Sequence, residues 1–167
     1  MYEVVDNFLP KDEFNKLKDV ITGYSFPWFL QNFVEHEDNP QPSHWYFTHK
    51  FFEEGRGGTP FYPMIDEIFL KEKLNCAAIL RVKGNLYPKD EKIIEHGWHI
   101  DYDFNHAGAI FYINNNNGHT ILEDGSKIES IENRMLFFNA GRRHRSTNCT
   151  DTQYRMNINF NYMKKEW

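Results

Sequence analysis

The pattern of apolar and polar positions changes character near residue 76. Before that point, Phe14, Leu17 and Ile21 recur at helical spacing behind Pro10 and the acids Asp12 and Glu13. A proline at the entry and acids in the first turn mark a helix start, so a helix is predicted from Lys11. Residues 23–58 are aromatic without a regular period, as in Phe26-Pro27-Trp28-Phe29 and Trp45-Tyr46-Phe47, and Pro40 and Pro42 bracket a loop. This stretch is expected to be irregular. A second helix is predicted from Tyr62-Pro63, with Ile65, Ile68 and Phe69 on one face. An earlier start would put Pro63 inside the helix, where its ring clashes with an upstream carbonyl.

From Cys76 the pattern becomes short strands and turns. Strands are predicted at 76–83, 108–113, 119–122, 127–131, 134–138 and 155–162, with Asn117-Gly118, Asp124-Gly125 and Ala140-Gly141 as turns between them. The asparagine tract 114–117 is read as part of such a hairpin turn. Strands in one block and helices in another predict an α+β fold built on a sandwich or barrel. The last strand alternates strictly. Met156, Ile158 and Phe160 face one way, and Arg155, Asn157, Asn159 and Asn161 face the other. A half-exposed strand accounts for this pattern, and so does a barrel whose inner face holds a polar ligand.

The length of 167 residues fits one domain, supported over 1–75 and strand-rich over 76–163. An aromatic content of 17% excludes a disordered chain. The longest apolar run, 76–80, is far too short to span a membrane, and the first residues lack the basic-then-apolar order of a signal peptide. With only Cys76 and Cys149, no disulfide scaffold is expected, and the protein is placed in a reducing, cytoplasmic compartment. A net charge of −5 argues against general nucleic-acid binding, although Arg142, Arg143 and Arg145 form a local basic cluster around His144.

His99-Ile100-Asp101 is the first candidate for chemistry. In an extended segment these two side chains point the same way and can meet one cation. Asp103 shares that parity, so spacing alone does not choose between the two acids. His144, just after the strand 134–138, is the best third ligand. Two histidines and one carboxylate on one face of an octahedral ion suit a non-heme Fe(II) centre that activates O₂. A dicarboxylate chelating that ion with one end still has a distant carboxylate, and Arg155 would clamp it. Asn85 and Tyr87 share a face when extended and can donate to keto-acid oxygens; turn chemistry and core packing are the plainer readings. His96, His106 and His119 are read as exposed loop or hairpin residues. Trp45, Trp98 and Tyr102 are read as core, or as the lining of a substrate mouth.

In order and spacing, Asn85-x-Tyr87, His99-x-Asp101, His144 and Arg155-x-Asn157 resemble the 2-oxoglutarate- and Fe(II)-dependent dioxygenases, most of all small phage-type oxygenases similar to prolyl 4-hydroxylases. The stretches Val5–Leu9, Leu80–Tyr87, Glu95–Asp101, Phe111–Asn114, Glu123–Ser130 and Arg155–Tyr162 carry the likeness. It implies a double-stranded β-helix, or jelly roll, with N-terminal helices packed on one sheet. It implies that His99, Asp101 and His144 bind Fe(II), and that Arg155, Tyr87, Asn85 and Asn157 hold 2-oxoglutarate. O₂ is the second co-substrate and ascorbate a candidate reductant. The implied reaction hydroxylates a protein side chain or small metabolite and releases succinate and CO₂; for a phage protein it would take place in the host cytoplasm. Two departures stand out: Arg155 occupies a place where prolyl 4-hydroxylases commonly carry lysine, and Asn159 and Asn161 replace the threonine and second arginine of the AlkB-type repair enzymes. The alternatives are a non-catalytic metal- or 2-oxoglutarate-binding or interaction module on the same fold, and a nucleic-acid demethylase.

Overall fold

The two longest alternating stretches of the chain become neighbouring strands, and everything else is arranged around that pair. The computed structural model describes residues 1–32, 45–70 and 73–165; the loop expected at Pro40 and Pro42 lies outside the described residues. In chain order the elements are β1 (Glu3–Val5), α1 (Lys11–Thr22), β2 (Phe29–Gln31), β3 (Tyr46–Glu53), β4 (Arg56–Gly57), α2 (Tyr62–Ile65), a π-helical turn (Asp66–Leu70), β5 (Cys76–Pro88), β6 (Ala107–Tyr112), β7 (Asn116–Leu122), β8 (Lys127–Ser130), β9 (Arg134–Asn139), β10 (His144–Ser146) and β11 (Tyr154–Lys164).

Two antiparallel sheets form. The large one runs β1-β9-β6-β11-β5-β3-β2, with β4 added on β3; the small one runs β10-β7-β8. The segment before Asp101 adds to the free edge of β10 through the bridges Glu95↔Thr147 and His99↔His144. From β5 onward the chain crosses repeatedly between the sheets. β5, β6, β9 and β11 fall in the large sheet, and residues 95–99, β7, β8 and β10 fall in or beside the small one.

One face of the large sheet is apolar and covered. Val82, Phe111, Met156, Ile158 and Phe160 pack there with Leu9, Phe14, Leu17 and Ile21 around α1, and with Ile65 and Phe69 of the second helical segment. Phe111 meets Phe14 and Phe69 edge-on, with centroids 6.0 and 5.1 Å apart. The opposite face looks toward the small sheet. At one end it is apolar, with Ile110, Leu136 and Phe138 packed on Leu122 and Ile128. At the other end it is polar, and that end forms the site described below.

Several expectations are corrected. Residues 23–58 are not irregular where described, since they contribute β2, β3 and β4 to the large sheet. The β3 alternation is broken by a register shift between Lys50 and Phe52, which hid the strand's period. The helical support amounts to one full helix and a short second one, in which the α-turn at Tyr62–Ile65 passes directly into the π-turn. Asn117-Gly118 is not a hairpin turn. It lies inside β7, where the register slips between Asn116 and His119, a bulge against β8. Asp124-Gly125, with Gly125 at φ +85°, does make the β7–β8 turn. No helix among the described residues is long and apolar enough to cross a membrane.

Candidate active site

β5 and β11 lie in a register that sets their polar residues side by side: Tyr87 against Arg155, Asn85 against Asn157, Lys83 against Asn159, and Arg81 against Asn161. Because alternate residues of a strand share a face, all eight point toward the small sheet. The polar side of β11 is therefore not in water. Arg155 and Asn161 have no exposure, and Asn157 and Asn159 are buried.

His99 and His144 face this surface from the edge of the small sheet. Their backbones exchange two hydrogen bonds, His99 N–H to His144 O at 3.0 Å and His144 N–H to His99 O at 2.9 Å, and their ring centroids stand 4.5 Å apart. Each ring Nδ1 sits on a carbonyl two residues back, Gly97 O at 3.3 Å for His99 and Arg142 O at 3.0 Å for His144. A carbonyl only accepts, so each Nδ1 carries its proton and each Nε2 presents a lone pair. Asp101 completes the group; one ligand atom from each of the three residues lies within 4.8 Å of the other two.

The Asp101 carboxylate is tightly supported. Its Oδ1 accepts from Arg81 at 2.6 Å, and its Oδ2 accepts from Asn161 Nδ2 at 2.8 Å and Asn159 Nδ2 at 3.3 Å. Burial would raise its pKa, but the Arg81 charge, helped by the hydrogen bond from Asn161, holds the group well below the usual carboxylate range. Burial and the neighbouring His144 push His99 down to about 4, so its ring is neutral at physiological pH. The fit to a cation is good, with two imidazole lone pairs and one ionised oxygen converging on one point. Outer hydrogen bonds fix both tautomers, as metal ligands require. Asp103, the rival acid, is exposed.

Arg155 lies at one end of the same face, opposite Tyr87. Its Nε donates to Ser130 Oγ at 2.7 Å, one terminal nitrogen donates to Thr120 Oγ1 at 3.0 Å, and the other to Thr147 O at 3.2 Å. The guanidinium carbon stands 5.4 and 5.7 Å from the ring centres of Tyr87 and Tyr112. Among the described residues no carboxylate pairs with it. A fully buried cation held only by neutral acceptors is costly unless an anion joins it. Tyr87, stacked on Tyr46 at 5.3 Å and hydrogen-bonded to Ser146, lines the cavity between Arg155 and the histidines. Asn85 donates to Asn157 Oδ1 at 3.0 Å, while its own Oδ1 is buried without a partner.

Sequence reasoning missed Arg81, Lys83, Tyr46 and the hydroxyls around Arg155. The signal for the first two was present: Arg81, Lys83, Asn85 and Tyr87 alternate with Val82, Gly84 and Leu86 as regularly as the β11 residues do. Ending the predicted strand at 83 concealed it. Three histidines read as exposed are not: His96 is buried against Tyr87 and Ser146, His106 is buried beside Asn161, and His119 is half-buried in β7. Of the basic cluster, Arg142 and Arg143 are exposed, whereas Arg145 lines the cavity, pairs with Glu95 and packs on Trp98 at 4.5 Å. Trp45 is largely exposed, and Trp98 and Tyr102 are half-buried.

No protein-family model and no curated protein matches the sequence. Solved structures do match. A 2OG-Fe(II) oxygenase family oxidoreductase from Burkholderia pseudomallei aligns with a TM-score of 0.71 at 10% identity, covering 97% of this chain and 85% of that one. A prolyl-4-hydroxylase from Pseudomonas putida aligns at 0.62 and 14% identity over 98% and 92% of the two chains. The viral collagen prolyl hydroxylase of Paramecium bursaria Chlorella virus-1, solved as a 2OG complex, aligns at 0.60 and 16% identity over 96% and 94%. The chain thus has the fold of the 2-oxoglutarate–Fe(II) oxygenases over nearly its whole length.

Proposed function

We propose that this protein is a 2-oxoglutarate- and Fe(II)-dependent dioxygenase that hydroxylates a protein side chain or small metabolite and releases succinate and CO₂. The carrying observation is the meeting of His99 Nε2, His144 Nε2 and the Asp101 carboxylate, with both rings locked in the ligating tautomer. Bound there, ferrous iron would supply O₂ activation and the oxidising power. The chain's own part is placement. His99, Asp101 and His144 would hold the ion on one side and leave the other side open. Arg155 would take the far carboxylate of 2-oxoglutarate. The Asn85 and Asn157 amides and Tyr87 would fix the co-substrate's orientation and keep water out. The crossing of β5, residues 95–99, β6, β7, β8, β9, β10 and β11 between the two sheets supports a double-stranded β-helix. The pairing of β1 with β9 and of β3 with β5 supports one domain, because the first 75 residues share its large sheet.

The test is succinate release from purified protein given Fe(II), ascorbate and 2-oxoglutarate, alongside calorimetric binding of Ni(II) and 2-oxoglutarate. The expected outcome is binding of both with slow succinate formation in the absence of the primary substrate. His99→Ala and Asp101→Ala should each weaken Ni(II) affinity at least tenfold and abolish succinate release. Tight binding of both ligands with no succinate under any condition would assign a sensing or interaction module instead.

A further inference from the structure

The cavity carries more positive charge than the oxygenase chemistry uses. Lys83 lines it, Arg81 and Arg155 stand directly behind its lining, on Asp101 and on Thr120 and Tyr87, and Asp101 is the one carboxylate among the described residues that lines it. The fourth cation there, Arg145, is answered by Glu95. A ferrous ion and the dianion of 2-oxoglutarate cancel each other in charge, so loading the site with both leaves the surplus of cations over anions unchanged. The surplus is local, since the whole chain is acidic, with a net charge of −5. It is therefore not an overflow of a basic surface.

Arg155 is held by Ser130, Thr120 and Thr147, and Arg81 is engaged with Asp101. Lys83 is the uncommitted cation. It projects from β5 into the cavity beside Asn85 and opposite Asn159, and its Nζ makes a single long contact, 3.5 Å to the Tyr46 hydroxyl, among the described residues. No carboxylate pairs with it there. Burial and the adjacent Arg81 pull its pKa down to about 8, which still leaves it mostly protonated at neutral pH. The Nε of Arg81, two residues along the same face, is buried with no hydrogen-bond partner. A lone ammonium, a phenol hydroxyl and an orphaned guanidinium N–H form a donor set with nothing to accept from it. Outside the cavity, exposed Arg143 stands 6.0 Å from the Trp98 ring on which Arg145 packs.

We propose that the primary substrate is anionic, and that Lys83, with Tyr46 and Arg81 beside it, receives a carboxylate carried near the carbon to be oxidised. This deepens the oxygenase reading and rests on it. An ammonium with a neighbouring hydroxyl suits a monoanionic carboxylate, which can come from a free organic acid or from an acidic side chain in a peptide. A neutral substrate would leave the Lys83 ammonium unanswered.

The experiment uses full-length protein loaded with Zn(II) and 2-oxoglutarate, a redox-silent state, with lysines labelled at ¹³Cε. Acetate and its neutral counterpart acetamide are the probes, read by NMR. Acetate is expected to shift the Lys83 signal saturably without releasing 2-oxoglutarate, and acetamide to leave it unmoved. In Lys83→Gln the acetate-dependent shifts of the Tyr46 ring should vanish and return in Lys83→Arg, while the Kd values for Zn(II) and 2-oxoglutarate stay within twofold of the parent. Equal responses to acetate and acetamide would overturn the proposal. So would a tenfold loss of 2-oxoglutarate affinity in Lys83→Gln, since Lys83 would then serve the co-substrate. Failure of the parent protein to bind Zn(II) or 2-oxoglutarate, measured before any probe is added, would sink the oxygenase reading and this inference with it. A second arm compares N-acetyl-aspartate with a blocked hexapeptide holding one internal aspartate, each against its asparagine form. Tighter binding of either acid over its amide supports the proposal and names the source.

Discussion

Arg155 is the residue on which the co-substrate reading turns. Its guanidinium has zero exposure and only neutral acceptors among the described residues, and the co-substrate reading supplies the missing anion. Hydrogen bonds to charged groups contribute about 1.5–3 kcal/mol. Each 1.4 kcal/mol is about tenfold in affinity. Arg155→Met should therefore raise the 2-oxoglutarate Kd by at least tenfold, leave Zn(II) affinity near the parent value, and remove the rise in Tm that 2-oxoglutarate gives the intact protein. Calorimetry and a melting series check both, and ordinary 2-oxoglutarate binding by the variant would refute the assignment. At this scale much was legible beforehand. His99, His144 and Arg155 could be singled out from spacing and alternation, the choice of Asp101 over Asp103 came from the family resemblance, and the structure brings His99, Asp101 and His144 together. Neither parity nor spacing could show the support of the aspartate. Arg81 is 20 residues away in sequence, and Asn159 and Asn161 are about 60 residues away. Contacts made by strand register across such distances leave no local trace.

Among the elements, β7 shows why a glycine signal was misread. Asn-Gly ordinarily marks a hairpin, but Gly118 is required here for close approach. A Cβ at 118 would stand 2.2 Å from Asn148 O, 2.6 Å from Arg155 Cδ and 2.9 Å from Asn116 Oδ1. Two of these are atoms of backbone or of a fully packed side chain, so something must move. Gly118→Ala should destabilise the protein by about 1–3 kcal/mol, the usual cost of overpacking. It should also weaken 2-oxoglutarate binding, because the displaced atoms belong to Arg155. Urea unfolding and calorimetry read the two effects, and a variant with unchanged stability and affinity would contradict the packing described. The neighbouring elements were legible in proportion to their regularity. The helix at Lys11 and the strands 108–113 and 134–138 were found within a residue or two. β3 was lost to its bulge, and β5 was cut short because Gly84 and Pro88 look like turn residues although they sit within a strand.

At the scale of the whole molecule, the chain pattern pointed to a strand-rich α+β class, but the six strands it predicted fall short of the eleven among the described residues, and the order in which they pair was not readable from it. The same burial that builds the site also makes the protein acid-sensitive. His49 is buried among Phe26, Phe51 and Phe61, with Nδ1 donating to Pro27 O at 2.7 Å and Nε2 meeting Thr59 Oγ1 at 3.1 Å. Burial lowers its pKa, and burial likewise lowers those of His119 and His99, the last to about 4. In the unfolded chain these imidazoles titrate near 6.5. Between 6.5 and the folded values the unfolded state binds more protons, so stability rises with pH and is lost as pH falls. The contribution is complete above the unfolded value, and for His99 it has disappeared by about pH 4; that group alone accounts for about 3 kcal/mol. Asp6 and Asp101, with pKa values below the carboxylate norm, act in a separate window at lower pH. In the metal-free protein His99 alone should therefore cost about 2 kcal/mol of unfolding free energy between pH 7.5 and pH 5, with His49 and His119 acting in the same direction. Replacing His49 by Phe should flatten part of that slope whatever it does to absolute stability, because Phe binds no proton in either state. Urea titrations at four pH values on both proteins measure the slopes. Parallel curves would mean that His49 already exchanges its proton freely in the folded state, contrary to a ring enclosed by three phenylalanines and a proline carbonyl.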